Sequence, residues 1–395
     1  MFKPMENTED AATGKSLLRR AKHISSLVVI NVAVFIALFV LFELAVHIIW
    51  PEENPWLTPP FAKSKVRIAN PLYGHTLVPN FEGQEVWGSA RTKIITNSLG
   101  FKSARGGDVP LRSNNKRILF LGDSFTEGVG LPYEETFVGR FAAALPQVDV
   151  LNAAASSYAP SVYYAKMKYL LDLGLQVDEV IVYIDLSDIQ DEATAYRTGD
   201  DGRLEEGDFD KECPSPAYIV RLQSPWWARF SYVLDLFYKQ RVIMSVIRNP
   251  PNAEFAALAQ PKQIYARDFA RGAWTYDSGL PCYGTMGVEG GIAKAVAQMD
   301  KLYALLSEKH IPLSVGVYPW PQQLLYDKED SRQVTIWRDW CEKRCQRFLN
   351  HFPALFAYKH QNPDFLRSLF FWGDYHYNPL GNEIIARGLV VQYSR

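Results

Sequence analysis

One long apolar run near the N-terminus constrains this chain more than any other feature. Residues Leu27 to Trp50 are almost all apolar, and a helix of that length crosses a hydrocarbon core of about 30 Å. Basic residues precede the run and acidic residues follow it: Lys15, Arg19, Arg20 and Lys22, then Glu52 and Glu53. The positive-inside rule therefore predicts a cytoplasmic N-terminus at 1–26, a transmembrane helix at 27–50 and an extracytoplasmic remainder. A cleaved signal peptide is disfavoured, because the run is too long and no small-residue cleavage site follows it.

Composition narrows the possible functions. The formal net charge is -1, and no basic stripe interleaved with aromatic residues is present, so we expect no nucleic-acid partner. Hydrophobic residues make up 48% of the 395 residues and charged residues 22%, which is typical of a folded globular chain. That length suits one α/β domain with a large insertion.

Four cysteines lie in the part expected outside the cytoplasm, where disulfides form. Three pairings are possible, and we favour Cys213 with Cys282 and Cys341 with Cys345. Unpaired thiols at Cys341 and Cys345 are the alternative. A zinc site is disfavoured because the chain has no C-x-x-C pair.

Strands alternate with helices from about residue 116 onward, after a stalk and N-terminal extension at 51–115. Buried strands are predicted at 117–121, 148–152, 180–186 and 313–318, with a fifth at 354–357, and helices at 136–145, 161–173 and 333–348. Asn378 as N-cap and Pro379 at the first position open a last helix to about Tyr393. This order predicts an α/β fold with a mostly parallel sheet.

An insertion at about 190–289 interrupts the alternation. It contains one predicted helix, with Ser224 as N-cap and Pro250 after its end. Trp226 and Trp227 near its start suit a membrane surface, a sugar or a core, and the core is favoured. Trp274, later in the insertion, is a candidate for stacking on sugar.

The sequence LGDSFTEG, from Leu121 to Gly128, follows the first predicted strand. Ser124 is thereby expected just past the carboxyl end of a parallel strand, where ligands bind in open α/β sheets. A serine that only caps a helix is the alternative. The position directly after a buried strand favours a nucleophile.

A second pattern, GDYHYNPLG from Gly373, supplies the partners that a serine nucleophile needs. Asp374 and His376 are two residues apart, so in an extended segment both side chains face the same side. The carboxylate then orients the imidazole, and the imidazole activates a serine hydroxyl. A histidine that only packs before the last helix is the alternative.

Other polar clusters predict no metal and no cofactor. Carboxylates follow the third strand, and we interpret them as a solvated loop rather than a metal site: Asp185, Asp188, Asp191 and Glu192. The glycine-rich stretches at 128–130 and 287–291 lack the P-loop lysine and the full dinucleotide spacing, so they are interpreted as turns.

Together, GDSFTEG after a strand and D-x-H-x-N-x-x-G before a helix resemble the SGNH/GDSL hydrolase family. NSLGF at 97–101 and YPWPQ at 318–322 are similar to features of its membrane-anchored bacterial envelope members. The resemblance covers about 70–190 and 290–395. It implies a flavodoxin-like SGNH catalytic domain at 116–395, facing the periplasm from the inner membrane, with ester hydrolysis or O-acyl transfer as its chemistry.

Two family positions differ in this chain. The second block carries no glycine, so the backbone N–H of Ala154 or Ser157 is expected to serve the oxyanion hole. In the third block Ser187 replaces an asparagine and is expected to donate its hydroxyl.

By resemblance, we expect a serine O-acetyltransferase or esterase that modifies an envelope or extracellular polysaccharide. A multi-span membrane acyltransferase is the expected partner. A simple carboxylesterase and a non-catalytic scaffold subunit are the alternatives, and the altered oxyanion positions are the reason to consider a scaffold.

Overall fold

The protein is described by a computed structural model. It describes residues 8–49, 66–87, 90–199, 203–207, 272–277, 283–371 and 374–394, with single positions and pairs between 225 and 241. The chain divides into two compact units. One contains residues 1–63 and 223–242, and the other contains residues 64–222 and 243–395.

The first unit contains one long helix, α1 (Thr8–Ile49). Its stretch Lys22–Val46, 25 residues with a mean hydropathy of 2.8, is long and apolar enough to cross a membrane. In the part of the chain that the structure describes, it is the single helix of this kind. The helix begins well before the predicted residue 27, because the basic segment ahead of the apolar run is also helical.

The second unit begins with two antiparallel hairpins. Strands β1 (Arg67–Asn70) and β2 (Gly74–Leu77) form the first, and β3 (Glu82–Trp87) and β4 (Ala90–Ile95) form the second. The NSLGF sequence follows β4 in a tight turn at Gly100, which has φ +70°. A Cβ at Gly100 would collide with the backbone oxygen of Leu77, so only glycine fits there.

The centre of the second unit is a five-stranded, all-parallel sheet. Its strands are β5 (Arg117–Leu121), β6 (Asp149–Asn152), β7 (Glu179–Tyr183), β10 (Leu313–Val317) and β11 (Arg347–Asn350). They lie in the order β11-β10-β7-β5-β6, which is the flavodoxin-like order 2-1-3-4-5. The predicted α/β class and flavodoxin-like architecture are confirmed. Residues of β5, β7 and β10 are buried throughout, as expected for a sheet that is covered on both faces.

Helices connect these strands. They are α2 (Ser124–Glu127), α3 (Phe137–Ala144), α4 (Pro160–Asp172), α5 (Asp188–Thr194), α6 (Gly287–Glu308), α7 (Pro321–Tyr326), α8 (Arg332–Cys341), α9 (Phe352–Gln361), α10 (Phe365–Leu369) and α11 (Pro379–Tyr393). Helices α4, α5 and α6 pack together, and α3 packs with α11. Asn378 caps α11 as predicted, accepting hydrogen bonds from the backbone of Leu380 and Gly381.

The prediction of the fifth strand was wrong. The segment 354–357 lies inside α9, and the strand is β11, at residues that the sequence assigned to the end of a helix. Pro353 near the start of α9 suits a first helical turn, where its missing N–H has no cost. The helix predicted at 333–348 ends at Cys341 instead.

The described part of the insertion includes a short hairpin, β8 (Tyr196–Thr198) with β9 (Leu204–Glu206), and a 3₁₀ turn at Ala273–Thr275. Trp274 is 1% exposed and donates its indole N–H to the backbone oxygen of Leu186 at 2.9 Å. The prediction that it stacks on sugar was therefore wrong. Trp227 is 41% exposed, so the favoured core position was wrong for it.

The predicted disulfide between Cys341 and Cys345 is confirmed. It joins the last residue of α8 to the loop before β11. Cys213, Cys282, Trp226 and the predicted N-cap Ser224 lie outside the described residues.

Candidate active site

Ser124 lies where the predicted nucleophile was expected, at the start of α2 and just beyond the carboxyl end of β5. Asp123 caps this helix, accepting from the backbone N–H of Phe125 at 2.9 Å. Gly122 permits the tight exit from the strand, because a Cβ there would lie 2.6 Å from the Cβ of Thr126. The strand end and the close approach of α2 together fix the position of the Ser124 hydroxyl.

His376 and Asp374 lie in the segment before α11, and the structure joins them to Ser124 by hydrogen bonds. The Ser124 Oγ and His376 Nε2 are 2.8 Å apart, and the His376 Nδ1 is 2.6 Å from the Asp374 Oδ1. The backbone N–H of His376 donates to the same carboxylate oxygen at 3.0 Å. Serine acyl-transfer sites have this arrangement, in which a serine nucleophile contacts a base and an acid orients that base.

The charge state of Asp374 suits the orienting position. Burial alone would raise its pKa, but the charge of His376 and hydrogen bonds from His376 lower that pKa to about 2. Asp374 is therefore ionised near neutral pH. An ionised carboxylate accepts the Nδ1–H of the imidazole and leaves Nε2 free to accept the serine proton.

Aromatic rings surround the imidazole and fix its plane. Phe125 and Tyr375 lie against it, with ring centroids 4.7 and 4.5 Å away, and Trp320 stacks on Tyr375 at 4.4 Å. Trp87, from the end of β3, presents its ring at 89° to the imidazole with its Nε1 3.3 Å from His376 Nδ1. Because Asp374 is closer and charged, it takes the Nδ1–H, and the indole N–H of Trp87 points toward the same edge of the imidazole.

Buried carboxylates lie next to the nucleophile. Asp123 accepts from the Tyr318 hydroxyl at 3.1 Å through Oδ1, and its Oδ2 lies 3.1 Å from the Ser124 Oγ. Burial, and then the nearby charge of Asp185, raise the pKa of Asp123 well above its usual range. Asp185 in turn accepts the indole N–H of Trp320 at 2.7 Å. Tyr318 and Trp320 of the YPWPQ sequence therefore hold the acids at the ends of β5 and β7.

The residues predicted for the oxyanion hole are near the ends of β6 and β7, but most of their donors are in use. The backbone N–H of Ala154 donates to the Asn152 side chain at 3.2 Å. Ser187 donates its backbone N–H at 2.8 Å and its hydroxyl at 2.6 Å, both to Asp185. The hydroxyl of Ser187 therefore holds Asp185 rather than facing an oxyanion. Ser157 has a left-handed backbone, with φ +63°, in the loop after β6.

The N-terminal extension also takes part in building the site. Arg67 of β1 is buried and pairs with Glu127, the last residue of α2, at 2.5 Å, and with Glu85 of β3. Glu127 also accepts the backbone N–H of Ser156 at 2.7 Å, in the loop that carries Ala154. One buried ion-pair cluster therefore links the first hairpin, the nucleophile's helix and the loop after β6.

The acidic residues after β7 differ from the predicted solvated loop. Asp188, Asp191 and Glu192 lie on α5 and are buried. Glu192 accepts from the backbone and hydroxyl of Ser161 and pairs with Lys294 at 3.3 Å. Among the described residues, no group of histidines, cysteines and acids has the arrangement to hold a metal ion.

Comparisons with known proteins give structural matches only. No protein-family model and no curated protein sequence matches the chain. It is similar to the crystal structure of a lipolytic protein of the G-D-S-L family from Veillonella parvula, with 10% identity, a TM-score of 0.36, and coverage of 71% of this chain and 99% of that one.

Two further matches carry esterase names. An acetylxylan esterase from Geobacillus stearothermophilus has 11% identity and a TM-score of 0.39, with coverage of 72% of this chain and 96% of that one. A psychrotrophic esterase from Pseudoalteromonas has 11% identity and a TM-score of 0.34, with coverage of 71% and 97%.

Sequence reasoning missed several residues around the triad. Asp123 and Trp320 belong to quoted motifs, but the contacts of Asp123 with Tyr318 and of Trp320 with Asp185 depend on strand order, which the motifs do not contain. Trp87 and Arg67 come from the extension, which was interpreted only as a segment that packs on the main domain. The sequence has no signal for Arg67, because its burial and its pairing with Glu127 are visible only in the folded structure.

Proposed function

We propose that the protein is a serine acyl-transfer enzyme of the SGNH type, acting on acyl esters through Ser124, His376 and Asp374. The observation that supports this most is the unbroken hydrogen-bonded series from Ser124 Oγ to His376 Nε2 and from His376 Nδ1 to Asp374. A histidine that only packs before α11 would not need contacts at both ring nitrogens, one to a carboxylate and one to a strand-end serine.

In the proposed mechanism, Ser124 Oγ attacks the acyl carbonyl carbon while His376 Nε2 takes the hydroxyl proton. The ester C–O bond then breaks, and the leaving alcohol receives that proton from His376. The acyl group is left on Ser124. A second hydroxyl, from water or from an acceptor alcohol, then attacks the acyl carbon and gives its proton to Nε2. The bond between the acyl carbon and Ser124 Oγ breaks, and Nε2 returns the proton to Oγ.

Backbone donors are proposed to stabilise the oxyanion of both steps. The N–H of Ser124 at the start of α2 is the first, and the N–H of Ala154 is the second once it is released from its 3.2 Å contact with Asn152. Donors aimed at the developing charge typically contribute roughly 100- to 1,000-fold each. Ser157 remains a third candidate in the same loop.

The preferred acceptor is proposed to be a hydroxyl of an envelope or extracellular polysaccharide, so that the reaction is O-acetylation. This part rests on the resemblance to membrane-anchored envelope proteins, as does a multi-span membrane acyltransferase as the partner that delivers acyl groups. Lys22–Val46 is proposed to anchor the protein in the inner membrane, with the catalytic domain in the periplasm. A reporter that works only outside the cytoplasm is expected to be inactive when fused before Leu27.

Covalent labelling tests the nucleophile. A serine-reactive fluorophosphonate is expected to label the purified full-length protein, and Ser124→Ala is expected to abolish both labelling and ester hydrolysis. Ser98→Ala, a serine outside the triad in the turn after β4, is the matched control and should label normally. Labelling that persists in Ser124→Ala would exclude Ser124 as the nucleophile.

A second experiment separates transfer from hydrolysis. The protein in detergent is given a chromogenic acetyl ester with and without acetyl-free oligosaccharides, and the sugars are analysed by mass spectrometry. Acetylated sugar that depends on Ser124 is expected, because positioning an acceptor hydroxyl can lower a barrier by about 7–11 kcal/mol relative to bulk reaction. Release of acetate alone, also in membranes that contain the partner acyltransferase, would assign the protein as an esterase.

A further inference from the structure

A carboxylate lies near the end of the apolar stretch of α1. Glu43 is three residues before the end of Lys22–Val46, and its Oε1 accepts from the Ser231 hydroxyl at 2.5 Å and from the Val233 backbone N–H at 3.0 Å. A charged side chain in a membrane helix is costly unless it is paired. Both donors belong to the insertion, 188 and 190 positions further along the chain.

The contact to Glu43 coincides with the start of a helical segment. The described residues 233–234, 237–238 and 240–241 are helical, and the Ser231 hydroxyl accepts the backbone N–H of Leu234 at 3.0 Å, as an N-cap residue does. The first N–H groups of a helix have no partner within the helix, and a negative charge stabilises them. Glu43 therefore fixes the beginning of this segment at the end of the apolar part of α1.

The segment exposes apolar and basic side chains together. Phe237 is 70% exposed, and Arg241, one helical turn further on, is also exposed. Trp227 is 41% exposed and packs edge-on against Tyr238, with ring centroids 6.2 Å apart. Exposed aromatic residues with a basic residue one turn away are typical of helices that lie in the plane of a membrane interface.

We infer that the described residues between 225 and 241 form a second membrane contact, lying in the interfacial layer of the bilayer that α1 crosses. Phe237 and Trp227 contact acyl chains and glycerol groups there, and the Arg241 guanidinium reaches anionic headgroups. The inference rests on the proposal that Lys22–Val46 spans a membrane. Lipid is the occupant because Glu43 joins the segment to the same end of α1 where apolar side chains such as Phe42, 57% exposed, face outward.

The inferred contact gives the insertion a role in membrane binding. The chain between α5 and α6 contains residues 223–242, which belong to the unit that contains α1. The insertion thus ties the catalytic chain to the membrane a second time, independently of the segment that follows α1.

Photo-crosslinking in a lipid bilayer tests the inference. The full-length protein, in nanodiscs of phosphatidylcholine and phosphatidylglycerol that carry an alkyne on one acyl chain, receives benzoylphenylalanine at one position at a time. The positions are Phe237 in the segment, Phe35 in the middle of α1, which is 69% exposed, and Val391 on α11, which is 52% exposed. Lipid adducts are expected at 35 and 237 and at background level at 391.

Each outcome has a separate meaning. Lipid adducts at 35 but not at 237 overturn the interfacial contact and leave the membrane span intact. Adducts at 237 that contain protein but no lipid have the same meaning. No adduct at 35 overturns the span itself, and with it the proposed anchoring.

A substitution then tests the role of Glu43. Glu43→Ala is expected to lose the lipid adduct at 237 while keeping the adduct at 35. Glu82→Ala, whose side chain is 66% exposed in a surface ion pair with Lys93, is the matched control and should leave both adducts unchanged. An unchanged adduct at 237 in Glu43→Ala would mean that Glu43 does not position the segment.

Discussion

The Ser187 hydroxyl does not have the role that its position in the sequence predicted. It follows β7 at the position where the resembling family carries an asparagine, and that position suggested an oxyanion donor. In the structure its hydroxyl and its backbone N–H both donate to Asp185, whose other oxygen accepts from Trp320. Ser187 therefore orders an acid beside the site.

This contact predicts a small effect on catalysis. Losing an oxyanion donor typically costs roughly 100- to 1,000-fold, so we expect Ser187→Ala to lower kcat/KM by less than about tenfold. The measurement is ester hydrolysis by the purified protein. Ser314→Ala, which removes a buried hydroxyl from the amino end of β10, controls for the loss of a buried hydrogen bond. A decrease of a hundredfold or more in Ser187→Ala alone would restore Ser187 to the oxyanion hole.

The residues of the triad were predictable from sequence because local chemistry constrains them. A serine after a buried strand and a carboxylate two residues before a histidine restrict where these side chains point. Asp185 and Trp87 were not predictable in the same way. Their roles depend on which strands are neighbours and on how the second hairpin meets the segment before α11.

At the scale of elements, an ion pair connects the first hairpin to α2. Arg67 is buried between Glu85 and Glu127 and also donates to the Ser156 hydroxyl at 2.9 Å. Without the guanidinium, two buried carboxylates would lose their shared partner. A buried charge left unpaired destabilises strongly.

Arg67→Met is therefore expected to lower the free energy of unfolding by about 3–5 kcal/mol, measured by urea denaturation in detergent. Arg338→Met is the matched control, because Arg338 is half exposed and pairs with exposed Asp330 and Asp339. A cost below about 1 kcal/mol is expected for it, as for other surface ion pairs. Equal costs for the two variants would contradict a structural role for the Arg67 cluster.

Elements with clear end signals were predicted well, and those without them were not. The last helix has a capping asparagine followed by proline, and its observed start agrees with the prediction. Strand β11 has only two apolar residues, Phe348 and Leu349, and it follows a helix without a glycine or proline between them. The apolar run 354–357 was taken for the strand because a short apolar run suits a strand and a helix equally.

At the scale of the whole molecule, one buried base makes stability depend on pH. Lys166 on α4 is fully buried and donates to the backbone oxygen of Ala153 at 2.7 Å and to the Tyr158 hydroxyl at 3.1 Å. Burial lowers the pKa of Lys166 from 10.5 to about 7, although the charge of Glu127 opposes the shift. Between these two values the unfolded chain binds a proton that the folded chain does not, so stability rises with pH in that window.

We expect Lys166→Met to lose the Lys166 contribution to this rise, whereas Lys102, a second buried lysine with a lowered pKa, contributes in both proteins. The difference in free energy of unfolding, wild type minus variant, should increase as pH is raised from about 7 toward 10. Urea denaturation at several pH values measures it. Lys168→Met, two residues further along α4 in an exposed pair with Asp172, should show no such trend. A flat difference for Lys166→Met would mean that Lys166 keeps its proton in the folded state.

The separation of 252 positions between Ser124 and His376 has a consequence for biosynthesis. Ser124 follows the first strand of the sheet, whereas His376 comes after the last strand, in the segment that leads into α11. In the proposed mechanism, Ser124 leaves the ribosome long before His376, whose imidazole activates it. The proposed activity toward esters therefore begins only after the segment with Asp374 and His376 has been made and α11 has docked.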